Sequence, residues 1–229
     1  MTEVLTQIPL DLTPEKVLRR LMMGRSNETI EASVKDLLEQ VRGIMNPGAA
    51  YRIAYIEDRS DDSVTIDGVV FTSRVLRKNL EGIGRVFPFI ATCGRKLDAF
   101  RPESGDVMES FILDTIRESA MRMASSYLRE HILLKYAPGQ LSSMSPGSLP
   151  EWPITQQREL FRLFPDAEET LGVKLLPSCL MSPVKSVSGI LFPTEIRFES
   201  CQLCPREVCQ GRRAPYSPEM SKDYGLEAV

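Results

Sequence analysis

Apolar residues recur along this chain at two periods, and the changes of period mark its elements. Val17, Leu18, Leu21 and Met22 share one helical face. Thr13 stands at the cap before them, with Pro14 in the first turn and Glu15 at the positive helix end. Gly24 is the expected stop. A second helix is predicted from Asn27 to Met45, where Ile30, Val34, Leu37, Leu38, Val41 and Ile44 recur at helical spacing before Asn46-Pro47-Gly48. The period then falls to two. Ala49–Asp58 and Ser63–Phe71 alternate and are rich in β formers, with a turn at Arg59–Asp62. Ser73–Gly82 reads as a helix with Val75, Leu76 and Leu80 inward. Arg85–Gly94 reads as a third strand, whose Pro88 suggests an edge position or a bulge.

The longest helical pattern runs from Asp106 to Ala137. Phe111, Ile112, Ile116, Met123, Tyr127 and Leu134 are its expected buried stripe. A loop at 138–153 follows, rich in Pro, Gly and Ser, of a length that is usually functional or disordered. Ile154–Phe164 is an amphipathic helix, and Gly172–Phe198 mixes short β segments with turns. The last ten or so residues are expected to fray. Helices, strands, one long helix and more strands do not make a βαβ alternation. The order predicts an α+β fold with a mainly antiparallel sheet and helices on one side. We divide the chain into a globular part, 1–198, and a cysteine-bearing tail, 199–229.

Composition narrows the function classes. The chain has 229 residues, 28 Lys plus Arg against 31 Asp plus Glu, and a net charge of -3. That balance offers no basic footprint for nucleic acid. No apolar run is long enough for a membrane span, and the start lacks the pattern of a secretory signal. A cytoplasmic location is the expectation. The single His131 excludes sites built from several histidines.

Three of the five cysteines fall in Cys201-Gln-Leu-Cys204-Pro-Arg-Glu-Val-Cys209. Two thiolates at C-x2-C spacing reach one metal from a tight turn, and the third can close the same face. A tetrahedral set needs a fourth ligand. Cys179, in the turn-rich segment just upstream, is a better candidate than Cys93. Thiolate sets of this kind suit an iron–sulfur cluster or zinc, and Arg206, Arg212 and Arg213 would offset their charge. The alternative is that these are free thiols.

Other residues stand out less. His131 lies on the long helix, where a lone histidine is usually structural. Lys185 sits in a small, polar turn, SPVKSVSG, whose backbone N–H groups can cradle an anion. Trp152, the only tryptophan, either anchors its Pro-rich loop or lines a pocket for a planar ligand. No nucleophile elbow, phosphate loop or dinucleotide fingerprint occurs.

Two stretches, Ser145–Phe164 and Gly172–Phe192, resemble the activation domain of vitamin B12-dependent methionine synthase. Leu176, Ser178, Met181, Pro183, Ser186, Val187, Ser188 and Gly189 fall on that family's Met-x-Pro-x-x-Ser-Val-Ser-Gly region, and Ser126–Ile132 resembles its long helix. Stand-alone bacterial relatives of the domain also end in a cysteine cluster. The resemblance implies a twisted antiparallel sheet flanked by helices, one long helix at its centre, and a groove. It implies binding of S-adenosylmethionine by Pro146, Gly147, Ser178, Ser186, Val187, Ser188 and Gly189. It also implies a partner, a corrinoid (cobalamin) methyltransferase whose oxidised cobalt is reductively remethylated. The chain departs from the pattern at Ser143 and Ser148, where the family has an arginine and a tyrosine, and near Arg122, where it has an acid, with Glu118 one turn away. Serine cannot reproduce a bidentate grip on a carboxylate. The competing reading is therefore a scaffold that has lost S-adenosylmethionine and holds a structural zinc.

Overall fold

A computed structural model of the chain describes residues 1–21, 28–136, 139–209 and 211–226. The chain opens with β1 (Thr2–Leu5), α1 (Pro14–Arg20) and α2 (Glu28–Arg42). Thr13 takes the cap position of α1, but its side chain makes no capping bond. The expected stop at Gly24, the helix start at Asn27, Met22 and the helix end at Ala137 lie outside the described residues. Next come β2 (Gly48–Arg52), β3 (Ala54–Arg59), β4 (Ser63–Ile66) and β5 (Val69–Thr72), then α3 (Arg74–Asn79), β6 (Arg85–Thr92) and α4 (Arg95–Ala99). The long helix α5 (Val107–Lys135) leads to β7 (Gln140–Met144). After it come α6 (Gln157–Arg162), α7 (Ala167–Thr170), β8 (Lys174–Leu175), β9 (Met181–Ser182), β10 (Ser186–Thr194) and α8 (Pro218–Asp223).

The strands pair antiparallel throughout. Eight form one sheet around β6, which pairs with β2, β3 and β10, while β7 pairs with β10. The expected strand 49–58 is two strands broken at Ile53, and 63–71 is a hairpin. Its turn is Asp67-Gly68, both with positive φ (45° and 75°), the pairing that tight two-residue hairpins require. Pro88 was expected at an edge or bulge and instead sits in the central strand. Tyr51 pairs with Phe89 and Ala54 with Val86, so Pro88 falls where β2 gives way to β3. On that side the ladder asks no N–H of residue 88.

Side chains alternate strictly across the sheet. Ala50, Val86, Ile90, Ile190 and Phe192 join one core with Trp152, Leu160, Phe164 and Leu76. Ala49, Tyr51, Phe87, Phe89 and Leu191 join another with Ala124 and Leu128 of α5. The helices therefore cover both faces, not the single face expected: α5, α1 and α2 on one, α3, α6 and α7 on the other.

Helix α5 starts at Asp106, whose carboxylate accepts from Met108 N at 2.8 Å. At 1.5 Å per residue its 29 residues span about 43 Å. The buried stripe is Ile112, Ile116, Ala120, Ala124, Leu128 and Ile132. It agrees with the expected one at Ile112 and Ile116, but Phe111 and Leu134 are exposed. Ala120 and Ala124 take its middle positions, where α5 packs against the other helices and the sheet, and the reading by side-chain size passed over them. The described part of the tail packs against the domain. Ser217 caps α8, the Tyr224 ring packs 5.8 Å from Phe198, and Tyr224 donates to Asn79 Oδ1 at 3.0 Å. Fraying was expected there, and residues 219–226 do not show it.

Candidate functional site

One face of α5 beside the buried stripe is polar. Arg122, Ser125, Ser126 and Arg129 recur at i, i+3 and i+4, the spacing that puts them on one side of a helix. They face the edge of the sheet at β7 and β10, where Leu141, Ser143, Val187 and Leu191 make a floor. The loop 145–154 forms one wall, and residues of 197–209 and 211–213 form the other. The groove between them encloses about 1840 Å3. Small-molecule pockets run to roughly 1,000 Å3, so this is an open trough.

Local chemistry fixes each wall. In the loop, Gly147 has φ +82° and donates to Trp152 O at 2.6 Å, and Trp152 N donates to Leu149 O at 3.1 Å. Trp152 is fully buried, edge-on to Phe71 at 6.2 Å, and among the described residues its indole N–H has no partner. It is an anchor and not a ligand platform. The tail is held by Ser142, whose hydroxyl accepts from Phe198 N at 2.8 Å, and by Ser148 Oγ at 3.4 Å from Ser200 Oγ. Below the loop, Gly189 has no room for a side chain. A β-carbon there would lie 2.7 Å from Ser145 Oγ and 3.1 Å from Phe89 Cε1.

Of the residues implied as a ligand site, Gly147 and Val187 line the groove. Pro146 is buried beside it and Gly189 lies in the floor strand. Ser188 is buried in the opposite core, donating to Gln157 Oε1 at 2.6 Å. Ser186 donates within the sheet, to Thr92 Oγ1 at 2.9 Å. Ser178 is exposed in the β8–β9 turn. Ser143 and Ser148 both line the groove.

Cys201, Cys204 and Cys209 also line it, and Cys201 Sγ accepts from Arg213 N at 3.4 Å. Cys179 is not among the lining residues. It is buried in the β8–β9 turn at φ +64°. Among the described residues no three of His, Cys, Asp or Glu are gathered closely enough to hold a metal ion. Cys93 is buried under the sheet, and burial pushes its thiol up to about 12.

Lys185 does not reach the groove. It pairs with Asp114 at 2.8 Å. His131 lies in a separate cluster, 3.2 Å from Tyr51 Oη. There Tyr51, Tyr136 and Lys135 all donate to Glu3. Burial acts to raise the Glu3 carboxyl, but those hydrogen bonds outweigh it and hold it near 2 instead of 4.5. This cluster ties β1 to the end of α5.

Sequence reasoning missed Arg129, Arg197 and Glu199. Arg129 donates to Leu141 O at 2.5 Å and to Ser143 Oγ at 3.2 Å. Glu199 pairs with Arg197 at 2.8 Å and Arg213 at 3.2 Å. The i, i+4 polar stripe on α5 was the available signal for Arg129. Nothing local marks the other two.

The whole fold is similar to a solved structure, the MetH reactivation domain bound to AdoHcy. The TM-score is 0.59 at 15% identity, over 99% of this chain and 86% of that one. No protein-family model matches the chain, and no curated protein does. The likeness establishes the fold.

Proposed function

We propose that this protein is a reactivation module that holds S-adenosylmethionine in the α5–β7–tail groove and serves a corrinoid-bearing methyltransferase. The observation that carries the reading is the fold. Nearly the whole chain follows a domain described as the MetH reactivation domain with AdoHcy bound. An open trough suits a site that a partner's cofactor must also enter.

The residues present fit part of the ligand. Leu149, Pro150, Val187 and Leu191 offer apolar surface, and Arg129 offers a guanidinium beside Ser143. Bound S-adenosylmethionine supplies a methyl group to corrinoid cobalt that an external reductant has carried from Co(II) to Co(I), leaving S-adenosylhomocysteine. The chain's own part is to orient the ligand against the α5 face and leave the trough mouth open to the partner.

Cys201, Cys204 and Cys209 belong to the proposal as a rim that would have to draw together to take an iron–sulfur cluster or zinc. Their common position along the groove, with Arg213 N donating to Cys201 Sγ, supports it. The thiols stand apart as placed, and Cys179 would have to come from outside the groove, so no step is routed through them. Ser143 and Ser148 favour the second reading, a scaffold with no such ligand. The test is to mix the protein with an oxidised corrinoid methyltransferase, a reductant and S-adenosylmethionine, and follow the methylcorrinoid absorbance. Faster recovery of the methyl form supports the proposal. Recovery no faster than without the protein supports the scaffold.

A further inference from the structure

Charge is distributed very unevenly on this molecule. The chain carries a net -3, yet six arginines line the groove, Arg20, Arg122, Arg129, Arg197, Arg206 and Arg213, against one acid, Glu199. The ion pairs do not neutralise them. Arg20 and Arg122 share Glu118, and Arg197 and Arg213 share Glu199. Among the described residues Arg129 and Arg206 have no acidic partner.

Arg129 is the decisive one. It is half-buried at the groove floor, and burial lowers its pKa, with Glu199 opposing and Arg197 and Arg213 reinforcing the shift. A guanidinium stays charged in proteins. Leaving a charge desolvated without a counter-ion is costly. Among the described residues its two hydrogen bonds go to a carbonyl and a hydroxyl, both neutral, which fix the plane of the fork and leave N–H groups over. A fork held in place by neutral acceptors is pre-organised for a carboxylate or a phosphate, which it meets through two parallel bonds.

We infer that the groove is an oxyanion site in which Arg129, fixed by Leu141 O and Ser143, grips a carboxylate or phosphate of the ligand. Arg213 and Arg206 supply long-range attraction from the rim. The inference rests on the reading above only for the identity of the ligand. Arg129 reaches Ser143 from the helix, so Ser143 holds the guanidinium in place.

Three probes on the full chain test it by calorimetry: S-adenosylhomocysteine, which carries a carboxylate; 5′-methylthioadenosine, which lacks one; and inorganic pyrophosphate. Arg129→Met should weaken S-adenosylhomocysteine about ten- to hundredfold and leave methylthioadenosine unchanged. Should Arg129→Met not fold, Arg213→Ala at the exposed rim should still weaken pyrophosphate measurably and steepen no salt dependence. If pyrophosphate binds in an Arg129-dependent way and neither nucleoside does, the oxyanion site stands and the S-adenosylmethionine reading fails. Equal affinity of wild type and both variants for every anion, or no anion binding at all, would overturn the inference.

Discussion

Gly189→Ala should disturb the groove floor more than any other single methyl group. The new β-carbon would lie inside 3.0 Å of the Met144 carbonyl oxygen, 2.7 Å from Ser145 Oγ and 3.1 Å from Phe89 Cε1. The serine can rotate, but the carbonyl belongs to β7 and cannot. The strand pair β10–β7 must part locally, next to the Ile190–Met144 register pair. Overpacking of a tight site costs about 1–3 kcal/mol, and backbone involvement puts this substitution at the upper end. For a chain of this size that lowers Tm by roughly 5–10 °C. Gly43→Ala is the matched control, because its β-carbon meets nothing within 4 Å and its φ is ordinary. Thermal or urea unfolding of the two variants decides the matter. Equal stability of Gly189→Ala and Gly43→Ala would refute the close approach of β7 to β10.

Other outcomes follow from named contacts. Glu3 is held near 2, so its contribution is complete above the ordinary 4.5 and disappears as pH falls from there towards 2. Its side chain is 37% exposed, which screening reduces to about 1 kcal/mol; acid titration of Glu3→Gln should lack that part of the slope. Alkylation at neutral pH, read by mass spectrometry, should label exposed Cys209 first and leave buried Cys93 and Cys179 untouched until the chain unfolds. Labelling of Cys93 ahead of Cys209 would contradict the fold. Trp152→Ala should cost about 3–5 kcal/mol and release the 145–154 wall, seen as proteolytic cleavage within that loop.

Elements with strong periodicity were legible in the sequence. The α2 positions Val34, Leu37, Leu38 and Val41 are buried as read, and so are Val75, Leu76 and Leu80. Strand β7, Gln-Leu-Ser-Ser-Met, was not legible, because it carries few β formers and exists through its pairing with β10. On α5 the two middle positions of the buried stripe, Ala120 and Ala124, were passed over for the same kind of reason: packing against neighbouring elements, and not side-chain size, decides them. The groove was legible only in part. Resemblance pointed at Pro146, Gly147, Ser178 and 186–189, of which Gly147 and Val187 are placed along the groove and Ser178, Ser186 and Ser188 are not. Its charge was hidden, since a net of -3 says nothing about where the arginines meet. Arg129 and Arg213 are 84 positions apart in sequence and face one trough because contacts such as Phe198 N to Ser142 and Ser200 to Ser148 pin the tail beside β7.

Hydrogen exchange of the full chain with and without saturating S-adenosylhomocysteine tests the central claim most directly. The account predicts new protection in 121–129 of α5, in 140–148 and in 197–209, with Glu3, Tyr51 and residues 131–136 of their cluster unchanged. Protection elsewhere, or no change at any ligand concentration, would contradict it.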